Sequence, residues 1–223
     1  MKFCIIGLGI FGTNLARVLS RLGGEVLAVD RDPERVEMLK DEVDHAVILD
    51  STDVKSLRQL PLKEMDSVIV AIGEDFESSM LTVAHLQEMG VKKLVCRSIN
   101  AVHGRLLGLL QIPKIVLPEK MAAERLGRSL MLRQIEDSYA LSADYDIVEV
   151  TVPEHFIGQT LANAALRHRY ELNLITVKRP DGKNPDPAAR VVLGIIPPEY
   201  TFRPEDILVV FGKEKDVRRF LQD

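Results

Sequence analysis

Gly7-Leu8-Gly9-Ile10-Phe11-Gly12 carries glycines at the first, third and sixth positions, and Asp30 follows eighteen residues after Gly12. The chemistry this spacing offers is the holding of a phosphate rather than the breaking of a bond. A glycine turn lets a pyrophosphate approach the backbone, and a helix opening within the turn adds free N–H groups and the positive end of a helix dipole. An acid about 20 residues further on accepts hydrogen bonds from a ribose. Gly7 is expected to make the tight turn, Gly9 to admit the pyrophosphate, and Gly12 to let helix and strand pack closely. Asp30 favours a ribose 2′-OH over a 2′-phosphate, a preference that Arg31 beside it weakens. A glycine turn with no ligand is the plainer alternative, but the pattern has the right surroundings: a strand before it, a helix opening in it, and an acid ending the next strand.

Groups that would make the site an enzyme do not stand out. None of the four tyrosines has a lysine four residues on. The histidines are scattered: His45 opens a strand, His85 lies in mid-helix, His155 stands apart, and His103 and His168 read as helix-surface residues. No pair has metal-ligand spacing, and neither a nucleophile elbow nor a phosphate loop ending in Gly-Lys-Ser/Thr occurs. A nucleotide site without catalytic residues points to a sensor.

These residues need a scaffold that the chain supplies in order. Residues 2–8 form a continuous apolar run, as a strand buried on both faces requires. Phe11, Leu15, Val18, Leu19 and Leu22 form one helical stripe, closed by Gly23 and Gly24. Strand-like runs at 25–30, 45–50, 67–73, 93–98 and 114–117 alternate with helical segments near 33, at 53–60, 75–89 and 101–110. Such alternation implies right-handed crossovers and a doubly wound parallel sheet. Residues 119–135 read as one long helix whose apolar stripe packs on the sheet edge or buries surface against another subunit. A polar linker at 136–146 then leads to a small α+β domain, with strands at 146–152, 172–179 and 206–212, helices at 160–170 and 213–222, and a turn-rich loop at 180–189. The expected domains are 1–135 and 136–223.

The 223 residues carry 29 Lys+Arg against 33 Asp+Glu, a net charge of −4, with 46% hydrophobic and 28% charged residues. This is a folded chain with a poor balance for nucleic acid. Cys4 and Cys96 sit in apolar runs and read as buried strand residues. No run approaches a membrane span and no leader is evident, so an intracellular protein is expected.

Nearly the whole chain resembles the RCK/KTN (regulator of K⁺ conductance) family, the TrkA/KtrA-type regulatory subunits of potassium uptake systems. The resemblance rests on residues 2–36, the LDSTD at 49–53, residues 68–107, VLPEKMAAERL at 116–126, IGQTLANAALRHRYELNLITVKR at 157–179 and the ending at 200–220. It implies a Rossmann-like RCK_N domain followed by a smaller RCK_C domain. It implies dimers assembled into a ring, expected to be an octamer, docked on a K⁺-translocating membrane subunit of the TrkH/KtrB kind at the cytoplasmic face of the membrane. The bound ligand would be an adenine nucleotide, NAD(H), ADP or ATP. Gly7, Gly9, Ile10, Phe11, Gly12, Asp30 and Arg31 match its binding segment. Asp50, Ser51 and Thr52 match the border of the adenine; Ala71, Ile72 and Gly73 match the strand end over ribose and phosphates; Arg97 holds a position often basic in the family. Glu119 matches a carboxylate that holds a divalent or monovalent cation near the phosphates, or else simply stabilises a helix N-terminus. Where some relatives have an arginine that reaches the γ-phosphate, this chain has Ile10, so an ATP-specific response is not expected. Some relatives bind cyclic di-AMP between C-terminal domains. Arg167 matches a basic position there, but Ala164 and Ala165 offer no polar groups, and a solvated arginine is preferred. A small NAD-dependent oxidoreductase and a DNA-binding regulator are the competing readings.

Overall fold

The computed structural model describes residues 1–131, 135–142, 144–186 and 188–222. They divide into two compact units, Met1–Lys120 and Met121–Asp223.

In the first unit, β1 (Lys2–Ile6), β2 (Glu25–Asp30), β3 (His45–Ile48), β4 (Ser67–Val70), β5 (Leu94–Arg97) and β6 (Lys114–Val116) form a parallel sheet in the order β3-β2-β1-β4-β5-β6. Side chains alternate across a strand, so β1 feeds both faces. Cys4 and Ile6 enter one apolar layer with Val29, Val70, Leu86 and Leu107, while Ile5 enters the other with Ala28, Ile69, Ala16 and Leu39. This double burial is why the strand reads as an unbroken apolar run. Each fully buried Val, Leu or Ile contributes about 1.5–3 kcal/mol. The helices α1 (Ile10–Arg21), α2 (Pro33–Leu39), α3 (Val54–Leu57), α4 (Phe76–Glu88) and α5 (Ala101–Leu109) cover the sheet. Of the expected α1 stripe, Phe11, Leu15 and Leu19 pack on the core, whereas Val18 and Leu22 lie exposed. The chain leaves β1 toward β2 on one side and enters β4 on the other, so a crevice opens above the carboxyl ends of β1 and β4.

His103 is not a helix-surface residue. It is fully buried in α5, its ring edge-on to Phe76 at 5.1 Å, with Nδ1 accepting from Ile99 N at 3.4 Å. It shares the buried face of α5 with Leu107, four residues on.

The division between the units falls inside α6 (Pro118–Met131), after Lys120. The expected linker at 136–146 is instead mostly strand. β7 (Ile135–Ala140) pairs antiparallel with β8 (Tyr145–Thr151), and the hairpin closes with Leu141 N donating to Tyr145 O at 2.9 Å. An edge strand needs only one paired side and tolerates polar residues, which hid it in the composition; Asp137 is held by the Arg125 guanidinium of α6. Ile135 thus opens a strand rather than ending the helix, and 132–134, part of the expected helix, lie outside the described residues.

β9 (Asn173–Pro180), β10 (Arg190–Val192) and β11 (Ile207–Lys213) complete an antiparallel sheet in the order β10-β9-β11-β8-β7. The helix expected at 160–170 is two, α7 (Leu161–Ala164) and α8 (Leu166–Tyr170), broken at Ala165 in the left-handed region (φ 46°). The break leaves Ala164, Leu166 and Tyr170 all buried. With α9 (Glu214–Gln222), they close a separate core in which Phe156 stacks on Phe220 at 5.2 Å.

Candidate functional site

The crevice at the carboxyl ends of β1 and β4 is lined by Gly7, Gly9 and Ile10, by Asp30 and Arg31, by Asp50 and Ser51, by Ala71, Ile72 and Gly73, and by Arg97.

The glycine turn explains its own composition. Gly7 has φ +98°, and a Cβ there would lie 2.9 Å from Ile72 N. A Cβ on Gly12 would lie 1.9 Å from Gly7 O, so α1 packs directly on the turn. Around Gly9 the space is open apart from Arg35 Nη1, 3.8 Å from where a Cβ would stand. Gly9 is also the N-cap of α1; no side chain caps that end and no acid lies in its first turn. The first N–H groups of α1 therefore face the crevice without a side-chain acceptor, which is the arrangement that attracts an anion.

Asp30 is buried. Its Oδ2 accepts from Leu8 N at 2.5 Å and its Oδ1 from Asp32 N at 2.9 Å. The carboxylate braces the glycine turn against the end of β2, and each oxygen keeps a lone pair for a further donor. Asp50 receives Thr52 N at 2.9 Å and Thr52 Oγ1 at 2.7 Å, and these hydrogen bonds hold its pKa below the usual aspartate value. Ser51 is buried and shares a hydrogen bond with Thr82 Oγ1 at 2.7 Å. The Arg97 guanidinium lies against Gly73, stands 5.9 Å from the centre of the Phe11 ring and forms an ion pair with Glu119.

Phe11, Gly12, Thr52 and Glu119 are not part of the crevice wall. Phe11 packs on the core and supports Arg97 from behind; Gly12 serves the turn; Thr52 turns its hydroxyl to Asp50. Glu119 is exposed at the first turn of α6. Its pKa is lowered by its own backbone N–H and then by Arg97. Among the described residues no three His, Cys, Asp or Glu side chains converge to hold a metal ion.

Spacing missed six lining residues: Ile6, Arg35, Leu49, Glu74, Asp75 and Ser78. Asp75 caps α4 through Ser78 N at 3.0 Å and faces Arg31 at 3.8 Å. Arg35 faces Glu74 at 3.2 Å. The only hint of Arg35 in the sequence was its place in the first turn of a helix capped by Asp32, close behind Asp30. In the second unit Arg167 is exposed on α8, while Ala164 is buried and Ala165 carries the helix break. A lone solvated cation there does not make a ligand site.

The strand order, the glycine turn and the crevice define a Rossmann-type nucleotide-binding domain, followed by a second, antiparallel domain. Residues 3–118 match the TrkA-N domain and residues 147–222 the TrkA-C domain. The chain is 35% identical over 219 residues to Ktr system potassium uptake protein C of Bacillus subtilis (strain 168), covering 98% of this chain and 95% of that protein. It is 31% identical, with the same coverage, to Ktr system potassium uptake protein A of the same organism. The GsuK channel bound to NAD superposes with a TM-score of 0.64 at 18% identity, over 98% of this chain and 38% of that one, a likeness of fold. The chain belongs to the family of TrkA-N/TrkA-C proteins and is homologous to the Ktr and Trk potassium uptake proteins.

Proposed function

We propose that this chain is a nucleotide-responsive regulatory subunit of a potassium uptake system. An adenine nucleotide, NAD(H), ADP or ATP, occupies the crevice, and its binding shifts the geometry of a ring of subunits that gates a K⁺-translocating membrane partner. The observation that carries this reading is the uncapped N-terminus of α1 opening into a crevice walled by Asp30, Asp50 and Arg97, in a chain homologous along its length to Ktr proteins. Asp30 and Asp50 take the ribose and adenosine side, and the glycine turn takes the phosphates. No described helix is long and apolar enough to cross a membrane; in this reading the ion path belongs to the membrane partner, and the subunit docks on its cytoplasmic face. The apolar residues Met121, Leu126 and Leu130 of α6 are 60–70% exposed, which supports the subunit-interface reading of that helix. The subunit regulates and does not catalyse.

Ile10 is neutral and exposed, so ATP gains no charged contact over ADP there. Calorimetry with ATP, ADP and NADH is expected to give affinities that differ only modestly; binding of none of them would refute the reading. Light scattering with and without nucleotide is expected to show an oligomer, and a nucleotide-insensitive monomer would refute the ring.

A further inference from the structure

The turn that holds the phosphates carries no cation of its own, because the side chain after Gly9 is Ile10. The charge arrives from another element. Arg35, in the first turn of α2, places Nη1 3.8 Å from where a Cβ on Gly9 would stand, over the open side of the glycine turn. Its guanidinium is held by three carboxylates: Glu74 at 3.2 Å, Asp32 at 3.5 Å and Asp30 at 4.0 Å. Asp30 and Asp32 belong to the same β2–α2 corner and fix the arginine in place. Glu74 differs. It comes from the segment after β4, on the far side of the crevice, and is 79% exposed. An ion pair this open contributes little, whereas a phosphate offers an arginine a charge-assisted, bidentate contact.

We propose that Arg35 reads the diphosphate of the bound nucleotide and that Glu74 is its resident competitor. This rests on the nucleotide reading above and adds a specificity-determining residue to it. Gly9 is where a pyrophosphate comes nearest the backbone, so Arg35 meets the phosphates shared by ADP, ATP and NADH rather than a terminal γ-phosphate. The contact rewards a diphosphate without separating ATP from ADP. On binding, Glu74 leaves the guanidinium and its carboxylate turns to solvent.

The test is calorimetric titration of the full-length protein with adenosine, ADP and NADH, for the wild type and for Arg35→Gln, Arg35→Lys and Glu74→Gln, each checked for folding by circular dichroism. Arg35→Gln is expected to weaken ADP and NADH by about tenfold or more while leaving adenosine unchanged. Arg35→Lys should restore part of that loss, and Glu74→Gln should tighten ADP a few-fold. The advantage of ADP over adenosine in the wild type should shrink as salt is added, since the guanidinium is partly exposed. If Arg35→Gln weakens adenosine and ADP equally, the residue only shapes the crevice, and the proposal is overturned. It is overturned as well if wild-type ADP binding survives the substitution intact, and the nucleotide reading then stands. Wild-type protein that binds neither ADP nor NADH would overturn both.

Discussion

Gly12 tolerates no side chain. A Cβ there would sit 1.9 Å from Gly7 O, a backbone atom, and the backbone on both sides of the clash is held by the sheet and α1. Gly12→Ala gains up to about 1 kcal/mol of helix propensity, but the overlap costs more, and a net loss of at least ~2 kcal/mol is expected by urea denaturation. Unchanged stability would mean that the turn relaxes freely. Ile10 is the opposite case: its side chain is 86% exposed at the mouth of the crevice. Ile10→Arg is expected to create an ATP-over-ADP preference of about tenfold, near 1.4 kcal/mol, measured by calorimetry. The glycines and Asp30 were legible in the sequence because their partners are local backbone at fixed spacing. Arg35 was not, because its significance depends on Glu74, thirty-nine residues away, and on the open space over Gly9.

At the level of elements, α5 couples stability to pH through His103. Burial lowers the pKa of this imidazole from its ordinary 6.5, so the unfolded chain takes up a proton at a higher pH than the folded one. Linkage then fixes the sign: stability is greater above pH 6.5 and falls as the pH drops below it. The carboxylates of Asp50 and Asp75, held low by hydrogen bonds chiefly from Thr52 and Ser78, act in a separate window below pH 4. Chemical denaturation at pH 7.5 and pH 5.5 should show a smaller difference in His103→Leu than in the wild type; an equal difference would clear His103 of the effect. The strands β1, β2 and β4 of the first sheet were readable because each is buried on both faces. β7 was not, because an edge strand with Glu136, Asp137 and Ser138 has the composition of a linker. The break at Ala165 was equally hidden, since alanine is the best helix former and only the demands of the core around Leu166 and Tyr170 account for it.

For the molecule as a whole, α6 presents Met121, Leu126 and Leu130 to solvent within one chain. Leu126→Glu with Leu130→Glu is expected to lower the assembly mass seen by light scattering while leaving the circular dichroism spectrum intact. An unchanged mass would remove this helix from the subunit interface. The two units, divided inside α6, have separate cores: one built on Ile5, Ile6, Val70 and Leu86, the other on Phe156, Tyr170 and Phe220. Heat should therefore find two cooperative blocks instead of one, with a calorimetric enthalpy larger than the van't Hoff enthalpy of either step. A nucleotide that binds beside the glycine turn stabilises only the block that contains it, by about 2.7 kcal/mol at a hundredfold excess over Kd. Added ligand should then pull one melting transition upward and leave the other where it was, so that the thermogram itself reports which half of the chain holds the ligand.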